Sequence, residues 1–466
     1  MTTHHRTGRP QFSSKFGLIA AAAGSAIGLG NIWKFPYITG VYGGAAFLFV
    51  YLGFILAIGM PIMLSELIIG RKSRRNAFGA FNKLAPGTPW VYIGSFGVGS
   101  AFLILSFYGV VAGWSIKYVV FSITNSFHNS SPEIITEAFN SFISDPLDPL
   151  IYQVFFMLLT GGIVIIGVQK GIERFSKILM PILLLIIIIL DIRAVTLKGA
   201  GEGLRFLFHP DFSKLTFEGV LSALGHAFFS LSLGMGTLIT YGSYVRKQNN
   251  LIKTAIQVTV ADTIIALLAG IAIFPAVFAF NIEPGQGVGL IFITLPNVFM
   301  QMPGGHIFAI LFFVLLTIAA LTSAISILEV VVAYFTEELR IKRQVSTIFA
   351  TALITLLGII CSLSLGIFSG IEFWGRNFFD LLDHISANIL LPLGGMFIAL
   401  FMGWAFGKYK VFREVAHGGR LRGWFLRIFM ILVKFVAPIA IFIVFLKGLK
   451  ILNFIIALFT GNNMGG

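Results

Sequence analysis

The stretch "GSAIGLGNIWKFPY", Gly24 to Tyr37, decides how this chain is read. It lies inside an apolar run long enough to be a membrane helix, yet holds three glycines, an asparagine, a lysine and a proline. Unsatisfied backbone groups are most costly in hydrocarbon, so a helix interrupted there needs a purpose. A second interruption, "SLSLGMG" (Ser230 to Gly236), lies five predicted helices further on.

The surroundings are membranous. Hydrophobic residues make up 57% of the 466, charged residues 11%, and mean hydropathy is +0.92. Runs such as "HIFAILFFVLLTIAALTSAISIL" (306–328) carry no acidic residue and no Lys or Arg. Only helices satisfy every backbone group of such a run, and the strict alternation of a membrane barrel is absent. Hydropathy predicts eleven spans, at 13–37, 44–70, 91–125, 150–168, 173–193, 218–245, 251–280, 305–337, 345–366, 378–407 and 425–450. The piece 451–460 is too short to cross. Residues 282–304 read as an outer loop with a short amphipathic helix, and the polar first eleven residues do not read as a cleavable signal.

The net charge of +14 raises the question of nucleic acid. Its placement argues against that. Arg71, Lys72, Arg74 and Arg75 fall in one loop, Arg246 and Lys247 in another. Arg340, Lys342 and Arg343 form a third group, and Lys408, Lys410, Arg413, Arg420 and Arg422 a fourth. Residues 126–149 carry Glu133, Glu137, Asp145 and Asp148 with neither Lys nor Arg, and 282–305 carry Glu283. Basic loops alternating with acidic ones place the N-terminus in the cytoplasm and, after eleven spans, the C-terminal tail outside. A single cysteine, Cys361, excludes a disulfide framework and a thiolate metal cluster. Neither a nucleophile–base pair nor a metal triad is available for an intramembrane enzyme.

Two interrupted helices at matching positions of two five-helix halves are the pattern of an inverted-repeat transporter with a midplane binding site. The halves would be 13–193 and 218–407, with 425–450 as an additional helix of one membrane domain. Helix ends exposed at a break offer carbonyls to a cation and N–H groups to an anion. Gly24 and Gly28 also form a G-x-x-x-G, which taken alone describes a helix-packing face.

With Asn31, Lys34, Phe35 and Pro36 included, the first stretch resembles the first helix of the neurotransmitter:sodium symporters. The resemblance continues through "GGAAFLFVYLGF", "SELIIGR", "GIERFSKILMP", "FFSLSLGMGTLITYGSYVRK" and "ALTSAISI", over about residues 9–450. It is similar to the bacterial eleven-helix branch. It implies sodium-coupled transport of an amino acid by alternating access, with two sodium ions as the co-transported cargo.

Carried onto this chain, the resemblance implies a first sodium site of Ala26, Asn31, Ser230 and a residue of the seventh helix. Counting back from Gly270 puts Asp262 there, and counting back from Pro275 puts Ala261. The second site would use the carbonyls of Gly24, Ile27 and Ala319 with the hydroxyls of Thr322 and Ser323. Oxygen ligands of this kind suit a hard cation. The substrate carboxylate would meet Leu29, Gly30 and Tyr108, and its side chain Ile104, Phe229, Ser232, Met235, Ser323 and Ile327. Met235 is unbranched and repacks around different shapes, which points to hydrophobic and aromatic L-amino acids. A carboxylate at Asp262 would replace chloride, so none is expected. Ala26 stands where an Asp marks carriers of amines that lack a carboxylate.

Two ion pairs would gate the path, Lys34 with Asp383 outside and Arg9 with Glu337 inside, the latter supported by Tyr244. Glu66 would accept from the broken helices, and His226 would lie near the first sodium site, able to couple a proton. Gly171 and Pro181 fit a fifth helix able to unwind at its cytoplasmic end. The same fold carrying another zwitterion, or driven by protons, is the alternative. Expected partners are the small-molecule amino acid and the lipid bilayer, with no obligate protein partner, in a bacterial inner membrane.

Overall fold

The computed structural model describes residues 9–128, 130–280, 287–416, 423–449 and 451. The C-terminal "GNNMGG", the piece 452–460, Glu283, Arg420 and Arg422 lie outside them.

The described chain is built from helices, because long apolar segments can satisfy their own backbone in no other way when they face lipid. Nine are long and apolar enough to cross a membrane, and a bent pair makes a tenth. We number them in chain order. The bent pair is α1, Lys15–Ala26 and Gly30–Val41, with axes 51° apart. Then come α2 (Ala45–Ser73), α3 (Val91–Ile123), α4 (Asp148–Ile165) and α5 (Val168–Val195). The predicted sixth span is divided: α6 consists of Phe217–Ser230 and Thr237–Tyr244, each half too short to cross alone. The remainder are α7 (Leu251–Ala279), α8 (Gly305–Glu337), α9 (Arg343–Leu363), α10 (Phe378–Phe406) and α11 (Gly423–Gly448).

Polar side chains start several of these helices by accepting from first-turn N–H groups. Ser14 accepts from Gly17, Thr216 from Gly219 and Asn250 from Lys253. The two loops read as acidic are partly helical. Pro132–Ser144 forms an amphipathic helix burying Ile135, Phe139 and Phe142, and Leu290–Gln301 is the short outer helix expected in 282–304. The Pro132–Ser144 helix is too short to span and was not expected from hydropathy, whereas Leu290–Gln301 buries most of its side chains.

The elements that frame the site are α1, α3, α6 and α8. The long α8 packs along α3 and α9, and the second half of α6 packs on α2. Small residues set that last contact. A Cβ added to Gly70 would lie 2.0 Å from the Ile239 carbonyl oxygen, and one on Gly242 would lie 2.8 Å from that of Leu67. In a membrane, where helix association depends on packing rather than on apolar burial, such close approach is what holds the half-helix.

Gly70→Val is therefore expected to cost about 1–3 kcal/mol through overpacking and to lower the midpoint of thermal unfolding in detergent. Gly53→Ala in the same helix meets nothing within 4 Å and should leave the midpoint unchanged. Equal midpoints for both variants would show that the α2–α6 contact does not depend on Gly70.

Candidate functional site

The first half of α1 ends at Ala26, and Ile27 takes an extended conformation (φ −74°, ψ 100°). That releases carbonyls from the helical ladder inside a dry bundle. In α6 the interruption covers 231–236, with left-handed backbone at Ser232 (φ 54°), Gly234 (φ 81°) and Gly236 (φ 76°). Glycine meets that requirement at two of the three positions without strain, while Ser232 holds it with its hydroxyl bound to the Ser25 carbonyl at 2.8 Å. One broken helix thus ties to the other.

The freed groups face side chains rather than lipid. Ser323 Oγ lies 3.1 Å from the Gly24 carbonyl oxygen, 3.2 Å from that of Ser25 and 3.2 Å from that of Ile27. Thr322 Oγ1 bonds the Ala319 carbonyl at 3.0 Å, and a Cβ on Gly24 would come within 3.1 Å of Thr322. Gly24, Ile27, Ala319, Thr322 and Ser323 therefore form one oxygen-rich cluster between α1 and α8.

A second cluster lies across the break. Asn31 Nδ2 donates to Asp262 Oδ1 at 2.8 Å, and Ser230 Oγ donates to both carboxylate oxygens, at 3.0 and 2.9 Å. Asp262, rather than its neighbour Ala261, is the α7 side chain that reaches these groups. It is fully buried, and so is Asn31. The Tyr51 hydroxyl donates to Ser230 Oγ at 3.2 Å, a participant that no motif singled out. Ala26 is the last residue of its half-helix and is buried.

Between the clusters, the Tyr108 hydroxyl accepts from the Leu29 amide at 3.3 Å. A Cβ on Gly30 would lie 3.1 Å from the Phe229 ring, so the absent side chain lets that ring lie on the α1 backbone. Ile104, Met235 and Ile327 are buried in the same apolar core. A cavity of about 400 Å³ opens beside Phe229, lined also by Lys34, His226, His384 and Lys447.

The expected outer pair is not among the ion pairs of the described residues; Lys34 Nζ lies 4.6 Å above the Phe229 ring. A point-like ammonium has no planar fork to match to a carboxylate, and the aromatic face is the nearer attraction. His226 also departs from expectation. It lies 5.4 Å from the Tyr51 ring and 5.9 Å from Phe35, and neither ring nitrogen has a partner among the described residues. Tyr51, not His226, is the group that touches the Asp262 cluster.

At the basic-loop end, Arg9 pairs with Glu337 and donates to Ser243 Oγ at 2.8 Å. Glu337 also accepts from the Asn76 amide at 3.0 Å. Tyr244 offers its ring to Arg9, 4.8 Å from the guanidinium carbon, but its hydroxyl turns to Glu329 at 2.7 Å. Glu329 is fully buried and paired with Arg343 at 2.6 Å. Sequence reading missed this pair, because an acid and a base fourteen residues apart on different helices leave no periodic signal. Glu66 Oε1 accepts from the Gly234 amide at 2.8 Å, so a carboxylate from α2 holds the unwound part of α6.

Comparison with known proteins gives the family and the fold. The model of the sodium:neurotransmitter symporter family matches residues 9–141 and 149–456. An uncharacterised sodium-dependent transporter of Bacillus subtilis is 43% identical over 444 residues, covering 95% of this chain and 98% of its own. A second, from Methanocaldococcus jannaschii, is 33% identical over 431 residues, covering 87% of this chain and 84% of its own. The crystal structure of MhsT in complex with L-phenylalanine superposes with a TM-score of 0.88 at 50% identity, covering 95% of this chain and all of that one. This chain is a multi-pass membrane transporter that belongs to the sodium:neurotransmitter symporter family.

Proposed function

We propose that the protein carries large hydrophobic and aromatic L-amino acids together with sodium, without chloride, by alternating access of two repeats, 13–193 and 218–407. The observation that carries this reading is the convergence of Asn31, Ser230 and Asp262 at the two helix breaks. Three oxygen-bearing side chains from three helices, one of them a buried carboxylate, suit a hard monovalent cation next to a substrate carboxylate.

In this reading the first sodium sits among Ala26, Asn31, Ser230 and Asp262, and the second among Gly24, Ile27, Ala319, Thr322 and Ser323. The substrate carboxylate takes the Leu29 and Gly30 amides and the Tyr108 hydroxyl. The fixed charge of Asp262 offsets the cation, which removes the need for a mobile anion. The side chain of the substrate lies against Ile104, Phe229, Ser232, Met235 and Ile327, where a thioether adapts to rings of different size. L-Phenylalanine bound to MhsT supports the same substrate class here. Basic loops place the N-terminus on the cytoplasmic side of a bacterial inner membrane.

Purified protein is expected to bind tritiated phenylalanine only in sodium, with potassium inactive and gluconate as good as chloride. Binding indifferent to sodium would remove the mechanism, and a chloride requirement would remove the role given to Asp262. Asp262→Asn leaves the cation without its offsetting charge in a buried site, and the sodium affinity read by the same assay should fall on the order of 100-fold. Met235→Phe fills the adaptable part of the pocket. It should weaken tryptophan binding about tenfold and leucine less, whereas an unchanged tryptophan-to-leucine ratio would place the side-chain pocket elsewhere.

A further inference from the structure

We propose that Glu173 is a positioning residue that couples the inner end of α5 to the first half of α1, so that the two elements release together when the site opens toward the basic-loop side. This goes beyond the paired gate at Arg9 and Glu337 and concerns a carboxylate that the transport reading leaves unused.

Glu173 closes the turn Val168–Glu173, which is wound as a π-helix rather than an α-helix. Such a turn inserts one extra residue into the helix and re-aims the side chains that follow. The turn begins after Gly167, whose φ of 106° only glycine adopts readily. It passes Gly171, where an added Cβ would lie 2.2 Å from the Ile163 carbonyl oxygen. Glu173 itself is 1% exposed.

Its carboxylate receives donors from the start of α1. The Ser13 amide reaches Oε2 at 2.7 Å, and the Ser13 hydroxyl reaches Oε1 at 2.6 Å. The Ser14 amide and hydroxyl follow at 3.2 and 3.1 Å. Ser14 is also the residue that caps α1 through Gly17. A negative charge from a different helix thus stands at the positive end of α1. The fit is built into the sequence, because a Cβ at Gly17 would lie 2.0 Å from Glu173 Oε1. Gln169 adds a second strap, with its side-chain amide on the Gln11 carbonyl at 2.6 Å.

Further along α5, on the same side, Met180 lies against Gly24, whose added Cβ would be 3.2 Å from its sulfur. Gly24 is the residue whose carbonyl joins the Ser323 cluster. One face of α5 therefore holds α1 at its capped end through Glu173 and at its broken end through Met180. Loss of the first contact frees the lever that carries the second. Release does not strand a charge, since Lys177, one turn on, pairs with Glu173 at 2.6 Å and is 30% exposed at its side chain. That is the requirement for a latch: many donors when closed, one retained partner when open.

The test uses full-length protein in proteoliposomes with Ser176→Cys as reporter. Ser176 lies on α5 at 3% exposure, and the native Cys361 is fully buried. A membrane-impermeant thiol reagent applied from the basic-loop side measures how often α5 opens. Glu173→Gln should raise the labelling rate about tenfold in sodium-free buffer, and Ser13→Ala, which removes one donor and keeps the fold, about threefold. Gly17→Ala, which expels the carboxylate from the α1 side, should match Glu173→Gln, and the double variant should label no faster than either single one. Additive effects, or labelling at the parental rate in both Ser13→Ala and Glu173→Gln, would overturn the latch. Because it rests on alternating access but not on the substrate, its failure is separable from that of the transport reading. If sodium fails to protect the parent from labelling, the sodium reading falls, while the sodium-free ratios still decide the latch.

Discussion

Every backbone N–H and C=O buried in a bilayer must find a partner, and in this protein two helices decline to provide their own. The interruptions at 27–29 and 231–236 leave polar backbone in the driest part of the bundle. Each freed group must then be met by a side chain placed there by another element. Ser323 from α8 meets the α1 carbonyls, Glu66 from α2 meets the Gly234 amide, and Ser232 spans from one break to the other. These hydrogen bonds replace those the helices gave up. The same lone pairs that need them are the ones a cation can use.

The charges of the inner half follow from that constraint. An ionised group in this environment is tolerated when it is paired and when its remaining lone pairs are occupied. Glu329 meets this through Arg343 and the Tyr244 hydroxyl, Glu337 through Arg9 and Asn76, and Glu173 through Ser13, Ser14 and Lys177. Three carboxylates on α5 and α8 thus surround the segment that leads into α1. Arg71 at the end of α2 is similarly engaged, with Glu414 and with the Asn249 carbonyl at 2.7 Å. Lys34, by contrast, rests on the Phe229 ring, an attraction worth less than a buried ion pair.

Hydropathy located the spans to within a few residues, for example 305–337 against Gly305–Glu337 and 251–280 against Leu251–Ala279. It works because the bilayer imposes one length and one composition on each span. It failed at Pro132–Ser144 and at the π-helical start of α5, where amphipathic surface packing and one extra residue in the turn leave no apolar period to read. The glycines of the two breaks were visible as interruptions in otherwise apolar runs. The family resemblance implied a Lys34–Asp383 pair, and in the folded chain the Lys34 ammonium lies 4.6 Å above the Phe229 ring, a contact that composition does not contain.

The linear chain was sufficient for the membrane class, the order of spans, and the two places where helices break. These depend on local composition and spacing, which solvent reads segment by segment. Only the folded arrangement brought Asp262, Tyr51, Asn31 and Ser230 to one point, joined Glu173 to Ser13 across 160 residues, and laid Lys34 on the Phe229 ring. Those are contacts between distant segments, set by how glycine-faced helices approach one another. Angles and depths of packing are properties of the bundle, and no single helix carries them in its own sequence.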